Sequence, residues 1–170
     1  MAETASFIEF NHALQRLVGK PCWSVIAGEH TGSMASLDFG RRVPRATPVR
    51  NRHLTRAQRQ YEGEFDLFIE ACAWRLQRER SIVCTSMSDN ANDGPLVLGL
   101  EELLDRKVVS VSVEYPGYDL TLAFEESLTL LLFCDAAPED DSDNYSFFAP
   151  GMAWAVGPGS VIRKAKRALR

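Results

Sequence analysis

The sequence predicts a β-rich α+β fold, made of two tandem, diverged helix-plus-antiparallel-sheet units packed as one domain. Three observations point there. Short runs of alternating apolar residues dominate the chain, only two stretches carry helical periodicity, and the second half repeats the element order of the first. At 170 residues, 45% hydrophobic and 25% charged, the chain has enough apolar surface to close a core without metals or cross-links. The expected boundaries are one domain over 1–162, with unit one at about 5–85, unit two at about 95–162, and a basic tail over 163–170.

The first element is a helix. Phe7, Phe10, Leu14, Leu17 and Val18 recur at helical spacing, Ser6 and Glu9 have the spacing of a capping box, and Gly19 offers a stop. Strand signals over 23–27 and 34–39 flank the turn-forming EHTGS. Residues 41–59 break the pattern with prolines and arginines. The stretch 65–76 reads as one long β segment, bent in its middle, and 81–85 as a shorter strand. Pro95 opens a short second helix ending near Leu104, since a proline is tolerated where the helix needs no N–H. Strands follow over 108–113, 120–124, 128–133, 145–148 and 152–156.

The repeat is carried by Leu17-Val18-Gly19-Lys20 against Leu104-Asp105-Arg106-Lys107, each followed by a hairpin. Further on, 65–74 aligns without gaps on 145–154, which pairs Leu67 with Phe147, Ala73 with Ala153 and Trp74 with Trp154. The two tryptophans are therefore expected at symmetry-related core positions. The phrases GEFDLFIEACAWRL, FCDAAPED and MAWAVGPGS resemble stretches of a family of small hypothetical bacterial proteins. That resemblance implies no activity, ligand or catalytic residue.

No nucleophile elbow, zinc-protease helix, Walker loop or dinucleotide fingerprint occurs, so no enzyme, cofactor or metal is expected. Cys22, Cys72, Cys84 and Cys134 are widely spaced without a C-x-x-C pair, and they read as reduced structural thiols. Cys22 with His30 is the one arrangement offering a nucleophile and a base, and a structural cysteine is the preferred reading. Glu64 and Asp66 share a face by period-two alternation and read as solvent-facing edge charges. The acidic N-terminus lacks signal-peptide character, which leads to the expectation of a bacterial-type cytoplasmic protein without a membrane segment.

Charge is segregated along the chain. Residues 41–59 hold seven arginines and no acid, 86–143 carry a net −12, and 144–170 carry +5. Such blocks create opposed surface potentials that steer partners. The leading expectation is a protein-binding module, of the immunity type that neutralises a basic toxin, acting through Asp135, Glu139, Asp140, Asp141 and Asp143. The alternative is a nucleic-acid-associated protein using Arg41, Arg42, Arg45, Arg50 and Arg52 as phosphate ligands together with the basic tail. A structural subunit or a homodimer is also compatible with the sequence. A pI near 5.4 and the absence of aromatics among the arginines weigh against nucleic acid.

Overall fold

The computed structural model describes residues 2–168. Its strands form two antiparallel sheets, and its helices are few. Unit one runs α1 (Ala2–Gln15), β1 (Cys22–Ile26), β2 (Ala35–Pro44), α2 (Arg56–Gln60), β3 (Tyr61–Ile69), β4 (Ala73–Arg78) and β5 (Ser81–Thr85). Unit two runs α3 (Pro95–Glu101), β6 (Val108–Glu114), β7 (Asp119–Phe124), β8 (Leu128–Phe133), β9 (Tyr145–Ala149), β10 (Met152–Gly157) and β11 (Val161–Lys166). No helix among the described residues is long and apolar enough to cross a membrane.

The six-stranded sheet has the order β1-β2-β3-β9-β10-β11, and the five-stranded sheet the order β5-β4-β8-β7-β6. Each unit thus lays its first three strands in one sheet and its remaining strands, β4 and β5 or β9 to β11, in the other. The inner faces meet in one apolar core, where Phe39 of β2 stacks on Phe124 of β7 with ring centroids 6.3 Å apart. The helices fill the sides. Phe10 of α1 packs on Tyr145 and Trp154, while Gly99 of α3 sits against Cys84 so closely that a Cβ there would come within 2.8 Å of the cysteine Cβ. α1 and α3 therefore each cover strands belonging to the other unit, and neither unit could bury its apolar face alone. The repeated segments 17–20 and 104–107 meet in the middle. Gly19 N–H donates to Val108 O, Val108 N–H to Lys20 O, and Pro21 bridges Lys107.

Several expectations need correction. α1 begins before Ser6, so the Ser6–Glu9 pair lies inside the helix and caps nothing. The 65–76 stretch is two strands in different sheets, separated by the crossover at Glu70–Cys72. β2 continues through Arg41 and Arg42 to Pro44, and α2 lies inside the arginine-rich stretch. Residues 163–166 of the basic tail belong to edge strand β11, and Arg170 lies outside the described residues.

The tryptophans are not equivalents. Trp74 of β4 faces Leu132 of β8, and the matching place on β9 facing Ile69 of β3 is held by Tyr145. Trp154 of β10 faces Phe147, and the matching place on β5 facing Leu76 is held by Cys84. The gapless alignment had slipped by one strand, which alternating β sequences permit because every strand has the same period.

Candidate functional site

The outer face of the six-stranded sheet carries the unusual chemistry. Asp38 of β2 and Glu62, Glu64 and Asp66 of β3 are buried on it, contrary to the expectation that Glu64 and Asp66 are solvent-facing edge charges. β3 is an interior strand between β2 and β9, and residues 45–60 fold over the polar side of the sheet. Buried carboxylates need partners. Asp38 accepts from Gly63 N–H at 2.8 Å, and Asp66 accepts from the Ser36 hydroxyl at 3.0 Å. Glu62 lies 3.7 Å from Arg45 and 3.5 Å from Arg167, both themselves nearly buried. Glu64 contacts Lys20 at 3.2 Å and accepts from Arg41 N–H at 3.3 Å. It also occupies the space above Gly40, where a Cβ would stand 2.6 Å from its oxygen.

The electrostatic consequences differ between these groups. Burial raises the Asp38 carboxyl above its ordinary value, against the opposing pull of Gly63, Ser24, Arg45 and Arg167. For Glu64, burial acts upward, but Arg41 and Lys20 together outweigh it and hold the carboxyl below the ordinary value. In the window from 3.8 up to its elevated value, folded Asp38 binds more protons than the unfolded chain, so its contribution to stability falls as pH rises. Glu64 has the opposite sign. Its contribution is present above 4.5 and is lost as pH falls through its depressed value. An Asp38→Asn variant removes only the first effect. Relative to wild type it should be most favoured near neutral pH and lose that advantage toward pH 3.8. Urea melts of both proteins across that range check this, and parallel pH profiles would refute it.

The arginines divide into two sets. Arg41 lies 3.7 Å from Glu64, Arg42 stacks over Trp23 at 4.9 Å, and Arg45 donates from Nε to Gln58 O and Tyr61 O. Arg45 is nearly buried and holds the fold, while Arg41 and Arg42 are exposed and lie outside the hollow. The structure instead brings Arg50 and Arg52 together with Arg56 and Arg59, two residues outside the expected phosphate set. The four line an open hollow of about 670 Å³, whose other walls are Thr47, Pro48, Val49 and Gln60. Among the described residues no carboxylate pairs with any of these four guanidinium groups.

The hollow's frame is well specified locally. Thr55 and Gln58 form a reciprocal capping box at the start of α2, and the Gln58 amide reaches Ser24 Oγ and Val25 O at 3.2 and 3.1 Å. Val49 N–H donates to Arg59 O, closing the segment on itself. At the equivalent place in unit two, β7 and β8 are joined by Glu125–Ser127 alone. The fold therefore closes without such an insertion, and long connections in compact domains usually serve recognition.

The acidic loop is partly engaged. Asp135 accepts from Ala73 N–H, Asp140 from Ala137 N–H at 2.7 Å, and Asp143 pairs with Arg163. Glu139 and Asp141 are exposed and make no ion pair among the described residues. Among the described residues no ion pair joins this loop to the arginine segment.

The cysteines are unpaired, and burial pushes the thiols of Cys72 and Cys84 up to about 12. Cys22 is raised further, by burial first and then by Asp38, so it is poorly suited to nucleophilic attack. Among the described residues, no group of three or more His, Cys, Asp or Glu side chains is placed to hold a metal. Among known proteins, no family model, no curated sequence and no solved structure matches this chain.

Proposed function

We propose that this protein is a binding module that holds an acidic segment of a protein partner in the arginine-lined hollow of residues 47–60. One observation carries the reading: four guanidinium groups without carboxylate partners converge on a single concavity, inside an insertion that the sister unit lacks. Arginine suits this role because its planar fork grips carboxylates bidentately and is weakly hydrated. The hollow is open enough for a side-chain cluster on a polypeptide. It lacks aromatic walls on which bases could stack, which favours protein over single-stranded nucleic acid. An immunity-type role through the acidic loop has less support, since Asp135, Asp140 and Asp143 already serve the loop itself.

The test uses a fluorescein-labelled hexaglutamate peptide read by anisotropy. Wild type should bind it with an affinity that falls steeply with salt. The Arg52→Glu, Arg56→Glu double variant should bind at least about tenfold more weakly, since each charge-assisted hydrogen bond contributes about 1.5–3 kcal/mol. Equal affinities would exclude the hollow. Tighter binding of a duplex oligonucleotide at matched salt would transfer the reading to nucleic acid.

A further inference from the structure

From the charge and placement of the 135–143 loop, we infer that the acidic segment held in the hollow is the tip of this loop on a second copy of the chain. The inference rests on the reading of the hollow just given and names its partner. Pro44 of β2 faces Tyr61 of β3, so the arginine-rich insertion leaves and rejoins the six-stranded sheet at one end. Ala35 faces Ile69, and Ile69 faces Tyr145, so the acidic loop enters β9 at the opposite end. Among the described residues no ion pair joins hollow and loop within one molecule. Two copies can bring them together.

The loop is shaped for presentation. Its ends are anchored by Asp135 on Ala73 N–H, by Asn144 Oδ1 on Ala136 N–H and by Asp143 on Arg163. A turn from Ala137 O to Asp140 N–H lifts the tip, where Pro138, Glu139, Asp140, Asp141 and Ser142 are all exposed. Carboxylates so close together repel one another, and cations from a partner relieve that cost. Four arginines without carboxylate partners and a tip carrying Glu139, Asp140 and Asp141 are complementary in sign. The contact joins different surfaces, so each docked pair keeps one hollow and one loop open. Such heterologous contacts propagate into rings or head-to-tail chains.

The experiment is sedimentation equilibrium on the full chain, with two charge-reversal variants. Wild type should exceed its 19.0 kDa monomer mass as concentration rises at about 0.02 M salt, and return to monomer near 1 M. Arg52→Glu, Arg56→Glu should remain monomeric. Glu139→Lys, Asp141→Lys should do the same, and it spares Asp140, whose carboxylate holds the turn. An equimolar mixture of the two variants should associate again, because each then offers what the other lacks. Failure of the mixture to associate would overturn the inference, as would wild-type association that both variants retain. A labelled peptide of residues 137–142 separates the two readings. If it binds the hollow while wild type stays monomeric well above the peptide's Kd, the second-copy inference falls and the hollow stands. If the peptide does not bind and wild type is monomeric, the second-copy inference falls, and the hexaglutamate titration decides whether the hollow stands.

Discussion

Trp74→Ala should lower the thermal midpoint by roughly 6–20 °C. The indole is 1% exposed, at the centre of the core where β4 leaves one unit and pairs with β8 of the other. Truncating a buried tryptophan costs about 3–5 kcal/mol through lost transfer energy and an incompletely collapsed cavity. For a chain of this size each kcal/mol corresponds to about 2–4 °C. Loss of the Nε1–H bond to Ser33 O, 2.8 Å long, removes a further tie between the β1–β2 turn and the second sheet. Met87→Ala is the control. That side chain is 91% exposed, and its removal should change stability by less than about 0.5 kcal/mol. Circular-dichroism melts of the two variants decide the matter. A Trp74→Ala midpoint within 2–3 °C of wild type, in the range roughly 1 kcal/mol would produce, would mean that the crossover does not depend on this residue.

Much of the strand pattern is legible in the sequence because one face of each strand is buried. Leu128, Leu130 and Leu132 alternate with half-buried or exposed neighbours, and the same holds for Leu120, Leu122 and Phe124. The fold class follows from that alternation. The crossover at Glu70–Cys72 is different. It contains neither glycine nor proline, so nothing local marks the point where the chain changes sheets. β11 is concealed by its own chemistry, since Arg163, Lys164 and Lys166 on an exposed edge are what discourages edge-to-edge pairing and also what reads as a solvated tail.

The site was less legible than the fold. Acids at 62, 64 and 66 alternate with Gly63, Phe65 and Leu67, a pattern that ordinarily means one solvated face. That face is covered by distant parts of the chain, the 45–60 segment and Arg167, which no local pattern can announce. The same partners decide which arginines remain available. Arg41 and Arg45 are close in sequence to Arg50 and Arg52, yet they are bound by Glu64 and Glu62, whereas Arg56 and Arg59 reach the hollow through a single turn of helix. Count and spacing of arginines cannot separate a structural guanidinium from a free one. Only the position of the buried carboxylates does.

That dependence makes Glu62 the residue through which stability and the hollow are coupled. Its side chain is 6% exposed and sits between Arg45 and Arg167, whose side chains are 13% and 10% exposed. Glu62→Ala would leave both guanidinium groups buried without their shared carboxylate, and breaking a buried ion pair from one side costs about 3–5 kcal/mol. The lower end is expected, because Arg45 keeps the carbonyls of Gln58 and Tyr61, and Arg167 keeps those of Gly63 and Glu64. Glu62→Gln retains the volume and one acceptor oxygen, so it should fall between alanine and wild type. The alanine variant should also bind hexaglutamate more weakly, although it touches no arginine of the hollow. Arg45 ties the start of the insertion to its end, and a guanidinium seeking solvent would loosen both. A thermal melt and the anisotropy titration on the same samples check the two effects together. If Glu62→Ala melts with wild type, the buried cluster contributes no net stability. If it is destabilised yet binds the peptide unchanged, the insertion holds its shape through Thr55, Gln58 and its backbone hydrogen bonds without Glu62.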